Sequence, residues 1–201
     1  MIKKHLIFIL FFILAHLNLT LCAENPDAEK MSEEAKTLVK KLEGNKFKLG
    51  DIVIDKNSNS IRFPAKVNMH EGVIELLLCA PYGKTHESLF VTDVDAIHLN
   101  LALIMIGCKA GEKKVSEQGE DVIPDGTLLK IEIAFTDDEK DKVEKIIRAE
   151  DWILDKKQNK PMAHTNWVYT GSFVSEDGEY LAKLTGTYIV TFHDPYTIID
   201  I

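Results

Sequence analysis

The chain has 201 residues, 45% hydrophobic and 28% charged, a composition that excludes a disordered or fibrous protein. Its formal net charge is −8, and its basic residues form only short pairs such as Lys40-Lys41, Lys113-Lys114 and Lys156-Lys157. A balance of that sign repels nucleic acid and anionic lipid, so no nucleic-acid partner is expected. The length fits one core.

Lys3, Lys4 and His5 precede an apolar run, LIFILFFILA, over residues 6–15. The run is too short to span a bilayer comfortably, and it has the length and flanks of a secretory signal. Residues 1–23 are therefore expected to form a signal peptide, and the mature chain to lie in the periplasm or cell envelope. Two ways of cutting it stay open. Ala23 offers the small residue of ordinary cleavage. Leu19-Thr20-Leu21-Cys22 resembles a lipoprotein box, although Leu21 departs from the small residue wanted before the cysteine. In the second case a lipid on Cys22 would be the one membrane attachment. No later segment is long or apolar enough to cross a membrane.

Residues 24–45 read as a polar leader followed by an amphipathic helix, with Met31, Ala35, Leu38, Val39 and Leu42 at helical spacing and Gly44 as the stop. From Phe47 the period becomes two. Residues 52–54 and 61–67 form an expected hairpin around a polar turn, with Pro64 marking an edge or a bulge. Residues 73–79, VIELLLC, suit a buried strand, and residues 89–91 a shorter partner. Asp93 or Asp95 can cap a helix over residues 96–106 whose only polar members are His98 and Asn100, so the whole helix is expected to be buried.

Residues 112–126 form a charged loop, and Thr127, Leu129, Ile131, Ile133 and Phe135 then alternate as a half-buried strand. Residues 140–154 fit helix or strand equally. Trp167, Tyr169 and Phe173, a turn at Glu176-Asp177-Gly178, and residues 188–192 return the chain to β structure. The expected class is α+β: mostly antiparallel sheet packed on one buried helix, with a short N-terminal amphipathic helix. Residues 46–201 are expected to make a single domain.

No complete phosphate-binding loop, zinc-protease helix, nucleophile elbow or dinucleotide fingerprint is present. What stands out is a polar loop carrying Lys84, Thr85, His86, Glu87 and Ser88, with His98 and His164 as later partners. Imidazole, carboxylate and hydroxyl together suit metal binding or proton transfer, with His86 and His98 the candidate ligands. The competing reading is a hydrogen-bonded loop that pins a hairpin. Glu75 is a lone carboxylate in an apolar strand, which needs a partner if buried and none if solvated. Cys79 and Cys108 end apolar runs, and whether they pair stays open. Two cysteines without close spacing cannot hold an iron–sulfur cluster unaided, and no cofactor is expected.

The stretch ELLLCAPYGKTHESLFVTDVDAIHLNLALIMIGCKAG, with NWVYTGSF and the following DGEY, resembles the YdjY-like domain family. The resemblance runs from about Gly50 to the C-terminus. It implies an exported bacterial protein of a family whose function is not established, and it brings no catalytic residues. Members described as ferredoxin-like carry added cysteine clusters, which this chain lacks, so that description does not transfer. The expected function is a non-enzymatic binding or interaction module, its partner an envelope protein or a small ligand. The alternative is a metal-assisted or general acid/base enzyme using the polar loop.

Overall fold

A computed structural model describes residues 38–136 and 143–201, together with the backbone of Leu6–Ile13. Among the described residues fourteen strands run in chain order. The first eight are β1 (Leu6–Ile13), β2 (Val39–Lys41), β3 (Lys46–Leu49), β4 (Ile52–Asp55), β5 (Ser60–Val67), β6 (Leu76–Cys79), β7 (Ser88–Val91) and β8 (Leu128–Thr136). The others are β9 (Glu144–Arg148), β10 (Leu154–Asp155), β11 (Lys160–Pro161), β12 (Trp167–Tyr169), β13 (Thr187–Val190) and β14 (Ile199–Asp200). Among the described residues two α-helices are complete, α1 (Ala96–Met105) and α2 (Leu181–Thr185).

Twelve strands share one mixed sheet, in which β6–β7 and β13–β14 are parallel. The expected α+β class is thereby overturned: the described residues are mostly β, and the helices among them are short. The pairings run β1–β8–β12–β14–β13–β6–β7–β5, and β5 pairs again with β1, so these eight strands form a ring. β4, β3 and β2 extend from β5, and β9 extends from β8. An eight-membered ring leaves an interior that side chains alone can fill. Ile61, Phe63 and Ala65 of β5, Leu129, Ile131 and Ile133 of β8, and Trp167, Tyr188 and Ile189 belong to one continuous buried core.

The β4–β5 hairpin forms as its residues dictate. Asp55 accepts hydrogen bonds from the Asn57 and Ser58 amides, and Asn59 turns the chain at a φ of 47°. Pro64 is tolerated because β4 ends at Arg62 and β7 begins at Lys66 along one edge of β5. Its carbonyl accepts from the Thr92 hydroxyl in that gap, so its missing N–H leaves no ladder bond unmade.

α1 has the expected span. Asp95 caps it, accepting from the Ile97 and His98 amides, and Gly107 ends it at a φ of 97°. It is not buried all round: Ala96, Leu99, Ala102 and Leu103 face the core, while Ile97 is 46% exposed. Hydrogen bonds from the Tyr169 hydroxyl to Asn100 and from the Tyr188 hydroxyl to the Val94 carbonyl tie it to β12 and β13.

Other expectations shift locally. Of the expected N-terminal helix, Leu38 is helical and Val39–Lys41 is a strand paired with β3; its earlier residues, 31–37, lie outside the described region. The apolar strand is shorter than expected, since Val73 to Glu75 precede β6 and Val73 is exposed. The undecided segment is β9 followed by a 3-10 turn, Ala149–Trp152. No helix among the described residues is long and apolar enough to cross a membrane.

Candidate functional site

Residues 80–87 connect the parallel strands β6 and β7, so the loop crosses over rather than closing the expected hairpin. Gly83 is pressed against the end of α2: a Cβ there would stand 2.9 Å from the Gly186 carbonyl oxygen, so only glycine fits. The Ala80 amide donates to that same carbonyl, and Gly186 closes α2 in the left-handed conformation. A 3-10 turn, Thr85–Glu87, then leads into β7. The Asn68 side-chain amide donates to the Thr85 and Ser88 carbonyls, and the buried Ser88 hydroxyl donates to the Phe90 carbonyl. The loop is held by Asn68 and by its own backbone.

Lys84 reaches two carboxylates, Glu87 at 3.5 Å and the buried Asp194 at 3.8 Å. Glu75 is half-buried and accepts from the Gln118 side chain at 2.9 Å. Its backbone joins the same neighbourhood, with its amide donating to Glu87 and its carbonyl accepting from Thr191 and Phe192. The structure thus brings Lys84, Glu87 and Glu75 together and adds Asp194. It leaves His98 and His164 apart from that group, and His86 at its exposed margin. His86 is 79% exposed, 3.8 Å from Glu87. His98 packs against Gly50, and His164 lies 2.9 Å from Asp151, after β9. No group of three His, Cys, Asp or Glu among the described residues has metal-binding geometry.

Sequence reasoning passed over a second pair nearby. The His193 ring lies 2.7 Å from Asp200, and the Ile201 amide donates to the same carboxylate oxygen. The other oxygen is buried with no hydrogen-bond partner among the described residues. Burial pushes the Asp200 carboxyl above its ordinary value, although the Ile201 amide and His193 pull the other way. The available signal was a lone acid in the apolar run TIIDI, the same irregularity that marked Glu75.

Cys79 and Cys108 are both free thiols. Desolvation raises each, Cys108 to about 12, so neither is a nucleophile at neutral pH.

Around α2 exposed apolar side chains stand among charged ones such as Lys183 and Glu179. Val174 is 64% and Leu184 63% exposed, and Tyr82 and Phe173 are exposed beside them. The contacts bring the four to one place. The Tyr82 hydroxyl donates to the Lys183 carbonyl, the Leu181 amide donates to Phe173, and Val174 bridges Tyr180 across the turn at Gly178. Lys114 caps the Phe173 ring at 4.3 Å. Lys84, two residues beyond Tyr82, starts the charged margin of this patch.

Fold and surface together define a mostly β domain with an apolar patch edged by paired charges. The YdjY domain model matches residues 52–201, most of the chain, and the protein belongs to that family. No curated protein and no solved structure matches it.

Proposed function

We propose that this is an exported envelope protein whose YdjY domain is a non-enzymatic interaction module, docking a partner protein on the surface around α2. The observation that carries the reading is the gathering of Tyr82, Phe173, Val174 and Leu184, all exposed, on one short helix and its flanks. Exposed apolar side chains scattered singly are ordinary, whereas a contiguous group rimmed by polar residues marks an interaction site. The margin of Lys84, Glu87 and Asp194 fits the polar rim of such an interface. Export rests on the positive start and apolar run of residues 3–15, with cleavage after Ala23 or before a lipidated Cys22.

Site-specific photocrosslinking in the producing cell tests the surface. Probes at Val174 and Leu184 should give one adduct of the same mass, and a probe at the exposed Lys156 should not. Equal labelling from all three positions, or none, refutes the reading. The mass of the protein recovered from envelopes tests export separately, since a retained Met1 would exclude it. The alternative of a metal-assisted enzyme on the Lys84 loop would gain from one equivalent of bound metal that His86→Ala removes.

A further inference from the structure

The ring of strands is closed at one place by the segment expected to be removed. β1 runs antiparallel to both of its neighbours, Leu6 to Phe12 against Lys66 to Ser60, and Phe8 to Ile13 against Ala134 to Leu129. The opposite edge of β5 belongs to β4 and β7, and that of β8 to β9 and β12. Among the described residues the edges that face β1 therefore have no other strand.

Cutting the chain after Ala23 or before Cys22 takes out the whole of β1. It leaves β5 and β8 running in the same direction across a gap one strand wide, about seven residues long. Two rows of backbone donors and acceptors lose their partners there. An unpaired row of this kind is a template for another strand. The residues along the gap are also those of the core: Ile61, Phe63 and Ala65 on one side, Leu129, Ile131 and Ile133 on the other, all buried while β1 is in place. They alternate with Arg62, Lys66, Lys130 and Glu132, so an incoming strand meets apolar neighbours at every second position.

From this geometry we infer that the mature protein carries a strand-acceptor seam between β5 and β8, which takes an extended apolar segment of a partner polypeptide. The inference rests on the export reading, because removal of residues 1–23 opens the seam. The occupant runs antiparallel to both edges, spans seven or eight residues, and places large apolar side chains at alternate positions. The ladder of backbone bonds holds it, and the alternate positions select it. The precursor shows the fit, with Ile9 opposite both Phe63 and Ile133, and Phe11 opposite both Ile61 and Ile131. The leader thus occupies the partner's place until it is cut away. The seam is distinct from the surface around α2, so one can fail without the other.

The test uses the protein recovered from envelopes, its N-terminus fixed by intact mass. Amide hydrogen exchange is followed with and without a synthetic peptide carrying the sequence of residues 6–13 between flanking lysines. The peptide should slow exchange on β5 and β8 together by about tenfold or more, leaving β2 and β3 unchanged. The same peptide with Leu10→Pro should protect neither edge, because proline removes a ladder donor. If residues 1–23 are absent and the first peptide protects nothing, the seam is refuted while export stands. Protection of both edges before any peptide is added, in protein lacking residues 1–23, refutes it too and means the seam is closed from within. A recovered chain that retains Met1 overturns export, and the open seam with it.

Discussion

Glu150 and Asp200 are both fully buried, yet their carboxyls are driven in opposite directions. Burial disfavours the charge of each. At Glu150 the opposition wins: the Arg148 guanidinium donates twice, the Thr165 amide donates at 3.1 Å and the Trp167 indole at 3.2 Å, and the carboxyl is held below its ordinary value. At Asp200 the His193 ring and the Ile201 amide converge on one oxygen, the Asp194 amide adds a weaker pull, and the other oxygen has no hydrogen-bond partner among the described residues. Partner count, not depth, decides whether a buried acid is ionised at low cost. The first arrangement locks β9 and its 3-10 turn to the start of β12. The second stores a polar atom that the fold leaves unsatisfied.

The largest effect should come from breaking the better-satisfied site. Arg148→Ala leaves Glu150 buried without its cation, which costs about 3–5 kcal/mol for a broken buried pair. It should appear as a lower urea midpoint with an unchanged slope. Glu150→Gln keeps an acceptor for Trp167 and removes the charge, so it should cost less than Arg148→Ala. The reverse order would show that the Thr165 amide and the Trp167 indole hold the Glu150 charge without Arg148.

Acid separates the two carboxylates by sign. A carboxyl whose folded value is lowered contributes stability above its unfolded value, near 4.5 for Glu150, and loses it as pH falls through the folded value. A carboxyl whose folded value is raised behaves oppositely: Asp200 costs stability once pH climbs through its folded value, and that cost is gone below 3.8. The urea midpoint of wild type relative to Glu150→Gln should therefore fall on acidification below about 4.5. Relative to Asp200→Asn it should rise as pH drops from neutral toward 3.8. Parallel curves for the two variants would refute the distinction.

How far the sequence disclosed these arrangements depended on length and separation. Strict alternation over nine residues made β8 plain, and a cap followed by ten residues located α1. The face of α1 was hidden, because a helix apolar on every side does not say that Ala96, Leu99, Ala102 and Leu103 turn inward and Ile97 outward. The α+β reading failed on strands too short to show a period, such as the three residues of β2 and of β12 and the two of β14. β9 stayed undecided because Val143, Ile146 and Ile147 fit a helix while Val143, Lys145 and Ile147 fit one face of a strand; only pairing with β8 selects strand. At the candidate site, Lys84 and Glu87 were visible as neighbours in one loop. Asp194 joins them from more than a hundred residues away, and no local pattern announces such a contact.

The loop itself supplies the smallest expected effects, and they extend the rule read from the two carboxylates. Asn68 satisfies two carbonyls, those of Thr85 and Ser88, in a half-buried setting. Asn68→Ala strands both acceptors and should cost about 1–3 kcal/mol. His86 lies inside the very turn that Asn68 holds, but it is 79% exposed and its nearest charged partner, Glu87, is 3.8 Å away. Water replaces whatever His86→Ala removes, so the change should stay within about 0.5 kcal/mol, the range of ordinary surface substitutions. Differential scanning calorimetry of the two variants side by side reads the contrast directly. A melting temperature lowered as much by His86→Ala as by Asn68→Ala would mean that the imidazole makes a contact its exposure conceals, and the pin would then have to be reassigned from Asn68 to the histidine.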